Sequence, residues 1–313
     1  MVAGPPRGVR ALSSPESFDP FAYSPIIERP PICWPGGARV ALWVVPNVEF
    51  YEFEPRVNPY KPAWARVPDV RNYSWRDYGN RVGFWRMLDV FDHHAIPITA
   101  SLNMAVLDLH PEITEAMVSR GWELMSHGLF NTQYLCGMPA DEERDLIRDT
   151  METHRRHTGR ELKGMFGPAA TITENTMDLM ANAGLIYSAD WYADDQPFRL
   201  RTRSGRLVCV PYTWELNDGL CMTEGFARGL GTHEADYFMQ ICKDQFDVLY
   251  EEGADSGRVM CIALHTSIFG APHRVRYLDE TLEYILSHDG VWATTADKIA
   301  EHYLEHHYDE APA

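Results

Sequence analysis

Residues 39–48 read RVALWVVPNV. After Arg39 no polar residue interrupts the run until Asn47, so neither face of a strand built from it can meet water. Strands buried on both faces belong to parallel sheets covered by helices on both sides. Working outward, the same alternation recurs. GNRVGFWRMLDVFDHH (79–94) has helical spacing and IPITASLN (96–103) is strand-like. HPEITEAMVSRG (110–121) carries Pro near its start and Gly at its end, as a helix should. WELMSHG (122–128) then delivers His127 to a strand's C-terminal end. Further strands are expected in LKGMFGPA (162–169), LIYSADW (185–191), RLVCVPYTWELND (206–218), RVMCIALHTS (258–267) and VWATT (291–295), with helices between them and a closing helix in ADKIAEHYLEHH (296–307). Repeated strand–helix alternation means an α/β architecture, and the number of units favours a barrel-like closure over an open sheet.

The residues before this pattern are rich in Pro, Gly and Ser, so 1–37 is expected to be an irregular N-terminal arm and 38–313 a single barrel domain. Forty-five acidic against 28 basic residues give a net charge of −17 and a pI near 5.1. Such a balance disfavours nucleic acid or an anionic membrane as partner, since both reward clustered Lys and Arg. The six cysteines show no CxxC spacing, and Cys209, Cys242 and Cys261 sit in or beside apolar segments as buried free thiols would. The first residues lack the apolar core of a signal peptide. These features predict a reduced, cytoplasmic enzyme acting on a small molecule.

In parallel α/β folds the site lies at the C-terminal ends of the strands. Polar residues just after the apolar runs are therefore the candidates: Asn47 and Glu49, Asn103, Ser126 and His127, Asp190 with Asp194 and Asp195, Glu215 with Asn217 and Asp218, and His265. Glu49 ends a buried strand and would suit a general base; as a plain surface carboxylate it would instead pair with an arginine such as Arg56 or Arg81. His265 follows VMCIAL directly and titrates in the range a general acid needs. A single histidine there is most simply a satisfied core residue, but two strand-end histidines on one face point to chemistry. His127 is followed, four residues on, by Asn131 and not by a second histidine. The turn ADDQP (193–197) offers carboxylates to a hard cation or a polar substrate, or is an ordinary Asp-rich turn. No GxGxxG, GxxxxGK[ST] or GxSxG motif occurs, so acid–base activation of water is easier to support than a covalent route.

The ordered set VPNVEF (45–50), SHGLFNT (126–132), GMFGPAAT (164–171), DWYADDQPF (190–198) and ALHTSIFG (263–270) resembles the polysaccharide deacetylase superfamily, most closely its allantoinase-like branch. The resemblance runs from about Arg39 to Tyr303. It implies a distorted (β/α) barrel, usually with seven parallel strands, and hydrolysis of a C–N bond. Metal-dependent members carry a base followed by a metal ligand where Glu49 and Phe50 stand here, and His-x-x-x-His where His127 and Asn131 stand. An arginine that orients the base matches Phe166, and the family's general acid matches His265. Two of three usual ligands are thus replaced, and no cofactor is favoured, although Zn or Mn bound in another way is possible.

The implied reaction is opening of a cyclic amide, imide or ureide. Glu49 would be the base, His265 the acid and His127 a positioning or polarising group. Asn131 would donate to the oxyanion, and Trp191, Asp194, Asp195, Asn217 and Asp218 would bind substrate. Alternatives are a Zn- or Mn-dependent deacetylase of an N-acetylated carbohydrate, hydrolysis of a C–C bond in a cyclic diketone, and an inactive ligand-binding barrel. The branch resemblance also implies a homo-oligomer, dimer or tetramer.

Overall fold

The apolar run forms strand β1 (Val40–Val48), and every residue of it is buried. The computed structural model describes residues 19–223 and 233–311; the signal-peptide reading and the first half of the expected arm fall on 1–18 and lie outside the described residues. β1 pairs in parallel with β2 (Thr99–Leu102) on one edge and, along its whole length, with β8 (Arg258–His265) on the other. The sheet continues through β3 (Glu123–Ser126), β4 (Gly164–Met165), β5 (Tyr187–Ser188) and β7 (Leu207–Cys209), all parallel. β9 (Val291–Ala293) joins the start of β1.

The sheet curls into a mostly parallel half-barrel, the distorted barrel expected from the sequence. Beyond the seven strands implied, it counts nine among the described residues, because β9 is added and a short antiparallel strand β6 (Phe198–Leu200) hangs on β7. The far edge of β8 is met by single backbone bonds: Val259 N to the Asp195 carbonyl (2.8 Å) and Ala263 N to the Leu216 carbonyl (2.9 Å).

Strand alternation divides the core. Val40, Leu42, Val44 and Val48 pack beneath the helices, whereas Ala41, Trp43 and Val45 point into the barrel with Phe166, Tyr212, Cys261 and Ala263. Asn47 and Glu49 continue the inward phase, which is how a β strand carries a carboxylate to the barrel mouth. Cys209, Cys242 and Cys261 are buried and free, as expected.

One helical run was not anticipated in full. α1 (Val70–Tyr78) passes through a π turn (Gly79–Gly83) into α2 (Phe84–His94) without a break. Its two glycines lie inside the expected helical stretch 79–94, and here they permit close contact. A Cβ on Gly79 would lie 2.4 Å from Thr266 Oγ1, and one on Gly83 would lie 1.9 Å from the Thr266 carbonyl. The run therefore rests directly on the chain that follows His265. The expected helices of the outer layer are present, including Pro111–Ser119, Ala140–Thr158, Ala235–Glu252, Val275–Leu286 and Ala296–His306. Among the described residues, no helix is long and apolar enough to cross a membrane.

Candidate active site

Glu49, His127 and His265 converge at the C-terminal mouth of the barrel, and all three are buried. Glu49 Oε1 lies 3.7 Å from His265 Nε2 and 3.9 Å from His127 Nε2. It also accepts a 2.9 Å hydrogen bond from Asn131 Nδ2. Its other oxygen, Oε2, accepts from the Tyr51 hydroxyl at 2.9 Å and faces the Arg76 guanidinium at 3.7 Å. The arginine beside Glu49 is thus neither Arg56, which pairs with Glu142, nor Arg81, which pairs with Asp77.

The surroundings shift the two imidazoles in opposite directions. His127 Nδ1 donates to the Phe166 carbonyl at 2.7 Å, which fixes the neutral tautomer with a lone pair on Nε2. Burial lowers its pKa and outweighs the nearby Glu49 charge. His265 is buried too, which alone would lower its pKa. There the Asp218 and Glu49 carboxylates prevail and raise it. Asp218 Oδ1 lies 2.6 Å from His265 Nδ1, while Asp218 Oδ2 accepts from the His265 backbone N–H at 2.8 Å. Two titratable groups pushed apart in this way are suited to separate acid and base duties.

Several expected wall residues have other places. Asp218 does not face a pocket; it orients His265, because the bridge between Asn217 and Ala263 sets the 216–218 segment against the end of β8. Asn217 accepts from Gly219 N at 2.9 Å and donates to the Tyr212 hydroxyl at 3.2 Å, so its polar atoms serve the helix that follows it and the barrel interior. Asp194 and Asp195 do not belong to the site. β5 is only two residues long, and the chain after it returns to the opposite end of the barrel, where Asp195 bonds the first turn of β8 and Asp194 grips Arg29 of the arm at 2.6 Å. Trp191 packs edge-on against Phe21, ring centroids 5.5 Å apart, on the side of the arm.

Asn131 stays at the centre but changes role. Its two amide hydrogens go to Glu49 Oε1 and the Tyr51 hydroxyl, leaving none for an oxyanion. Its Oδ1 is buried and has no hydrogen-bond partner among the described residues. A buried acceptor left unpaired costs roughly 1–3 kcal/mol, so such an atom calls for a ligand donor. Tyr51 and Asn80, which the strand-end filter did not pick out, and Asn103, which it did, complete the shell. Tyr51 lies beneath Trp64, centroids 5.3 Å apart and stacked, and Asn80 Nδ2 donates to the Glu49 carbonyl at 2.8 Å. Asn103 donates to the His127 carbonyl and accepts from Phe50 N–H at 2.9 Å. Phe50 N–H and Asn103 are the kind of fixed pair that locks a strand-end backbone.

On the Oε2 side of Glu49, Phe50, Tyr51, Tyr73, Arg76, Asp77 and Asn80 line a small cleft.

The donor set does not match a deacetylase metal. Phe50 turns its ring to His110 and Phe130, at 5.7 and 5.9 Å, and has no ligand atom. The Asn131 amide nitrogen must face the Glu49 carboxylate, since a carboxylate accepts and does not donate. Phe166 stacks on the His127 ring at 4.8 Å and carries no charge to orient the base.

Comparison with known proteins identifies the family of the chain. The family model for polysaccharide deacetylase matches residues 73–188. A Schizosaccharomyces pombe protein assigned by name to the polysaccharide deacetylases is 30% identical over 288 residues, covering 87% of this chain and 88% of its own length. A Pseudomonas aeruginosa structure assigned to the same family is 31% identical with a TM-score of 0.78, covering 89% of this chain and 95% of that one. The structure of the PuuE allantoinase is 30% identical with a TM-score of 0.77, covering 89% and 94%.

Proposed function

We propose, on the premise that this chain belongs to the polysaccharide deacetylase family, that it opens a C–N bond in a small cyclic amide, imide or ureide without the family's usual metal arrangement. A hydrolase of the deacetylase type acting on C–N bonds follows from the family; the ring is our reading. The observation that carries it is the convergence of one buried carboxylate oxygen, Glu49 Oε1, with two imidazoles, His265 Nε2 at 3.7 Å and His127 Nε2 at 3.9 Å.

In this reading a water seated at Glu49 Oε1 gives that oxygen its proton and adds its own oxygen to the ring carbonyl. His127 Nε2, an acceptor in its fixed tautomer, receives the water's second O–H as a hydrogen bond and aims the lone pair. The C–N bond breaks as His265 Nε2–H protonates the departing nitrogen. The proton on Glu49 then passes the short gap to His265, and both groups are restored. No step is routed through a metal, because Phe50 and Asn131 do not supply its ligands.

Two further features bear on the substrate. Asn131 Oδ1, an unpaired buried acceptor, matches a ring N–H, which favours C–N over C–C cleavage of a diketone. The likeness to the PuuE allantoinase points the same way. The proposal includes self-association, in keeping with exposed Phe53, Val57 and Tyr60 in one segment, which sedimentation would test.

The deciding assay is a panel of allantoin, hydantoin, succinimide, a cyclic diketone and an N-acetylated chitooligosaccharide, run before and after chelation. Ring opening that survives chelation and disappears in Glu49→Gln is the expected result. Turnover of the chitooligosaccharide alone, lost on chelation, would overturn the proposal.

A further inference from the structure

Glu49 is gripped from outside the sheet by one helical run. Arg76 and Asn80 stand four residues apart on that run, so they share a face. Asn80 donates to the Glu49 backbone carbonyl, and the Arg76 guanidinium lies 3.7 Å from Glu49 Oε2. Arg76 is itself confined: its guanidinium sits 5.0 Å from the Tyr51 ring centroid and 4.8 Å from that of Trp75, and its side chain is 11% exposed. The π turn brings the same run, through Gly79 and Gly83, against Thr266 next to His265. A single element therefore touches the neighbours of both reacting groups.

The two Glu49 oxygens have different surroundings. Oε2 faces the Tyr51 hydroxyl and Arg76, whereas Oε1 faces both imidazoles and Asn131. A guanidinium held on one oxygen keeps the carboxylate plane fixed and its charge in place, while leaving the other oxygen to take a proton.

We infer that Arg76 is a positioning residue for the reaction: it commits Glu49 Oε2 to a fixed ion pair, so that Oε1 serves as the base. This deepens the reading of Glu49 as general base and rests on it. Arg76 touches no reacting atom in this scheme, so its loss should lower kcat and leave KM nearly unchanged. Removing its positive charge should also make Glu49 easier to protonate.

The test compares Arg76→Gln, Arg76→Lys and Arg76→Ala with the full chain as it stands. In Arg76→Gln the acid limb of the kcat/KM profile, measured on the best substrate of the panel, should move up by about one pH unit or more. Arg76→Lys should restore its position, and added guanidinium should recover part of the Arg76→Ala rate. Independently of any substrate, the Glu49 carboxyl ¹³C signal, assigned with Glu49→Gln, should titrate at a higher midpoint in Arg76→Gln than in the parent. Where Arg76→Gln fails to fold, Arg76→Ala with and without guanidinium carries the same titration. An unmoved midpoint and limb, or a rise confined to KM, overturns the positioning role. Turnover retained by Glu49→Gln would instead sink the base assignment, and the two failures are thereby told apart.

Discussion

Asp218 holds His265 with both carboxylate oxygens, one on the ring at 2.6 Å and one on the backbone N–H at 2.8 Å. This double grip fixes which ring nitrogen faces Glu49, and the Asp218 charge favours the protonated ring. Asp218→Asn removes the charge while keeping the shape. It should lower kcat by about 10²–10⁴-fold, the usual range for loss of acid–base function. Its alkaline limb should shift to lower pH. An unchanged limb in the pH–rate profile would remove His265 from the role of acid.

The same pair links pH to stability. The folded His265 pKa is raised, by carboxylates that outweigh burial. Its stabilising contribution is complete below the unfolded histidine's value, about 6.5, and is lost as pH rises through the higher folded value. Urea unfolding of the parent should therefore weaken over that interval, and His265→Gln should flatten the loss.

At the other end of the barrel, Glu123 is raised to about 7, by burial first and then by the Asp297 charge. The Thr99 and Tyr187 hydroxyls bond its oxygens, each at 2.6 Å. The folded state keeps this proton where the unfolded chain has released it, so stability falls as pH rises from 4.5 to about 7. The loss is at most about 3 kcal/mol, since each tenfold change in proton affinity between the two states is worth about 1.4 kcal/mol. Glu123→Gln should abolish this slope in urea titrations at pH 5, 6 and 8, with activity unaffected.

Gly83→Ala places a methyl where the Thr266 carbonyl stands. The helical run or the chain after His265 must give way, at a cost of roughly 1–3 kcal/mol for an overpacked contact. Because that chain follows the acid directly, kcat should fall more than stability alone explains. Thermal unfolding and kinetics on one preparation separate the two effects.

Asn131→Leu should abolish turnover through two losses at once, the Glu49 contact and the free Oδ1 acceptor. Asn131→Asp keeps an acceptor but sets a second carboxylate against Glu49, so its rate should also fall, with an acid limb at higher pH. A ring substrate lacking N–H should be turned over equally by the parent and its N–H counterpart if Oδ1 plays no part in recognition; we expect the N–H ring to be preferred.

The fold was legible because long apolar runs such as 40–48 admit only a doubly covered strand; the strand-end rule put forward Glu49, His127 and His265, and the spacing after His127 put forward Asn131, four residues that the fold brings together. The same rule misplaced Asp194 and Asp195. It equates nearness in sequence to β5 with nearness to the barrel mouth, and a two-residue strand followed by a returning loop breaks that equation. Asp218 was noticed for its position but not for its partner, which depends on a strand register between segments about 46 residues apart. Arg76 was missed because its stretch, Val70–Tyr78, is polar and follows no strand, and its contact with Glu49 exists only once the fold brings the two together. Asn131 was assigned the wrong hydrogen-bonding end, since which face of a carboxamide is free is settled by neighbours far along the chain.

Trp64 lies over Tyr51, and Tyr51 lies over Glu49. Arg76 of the helical run lies against the same Tyr51 ring, so Trp64 braces from outside the stack that carries the Glu49 contact. Trp64→Ala should leave Tyr51 less firmly held, and kcat should fall although Trp64 touches no reacting group.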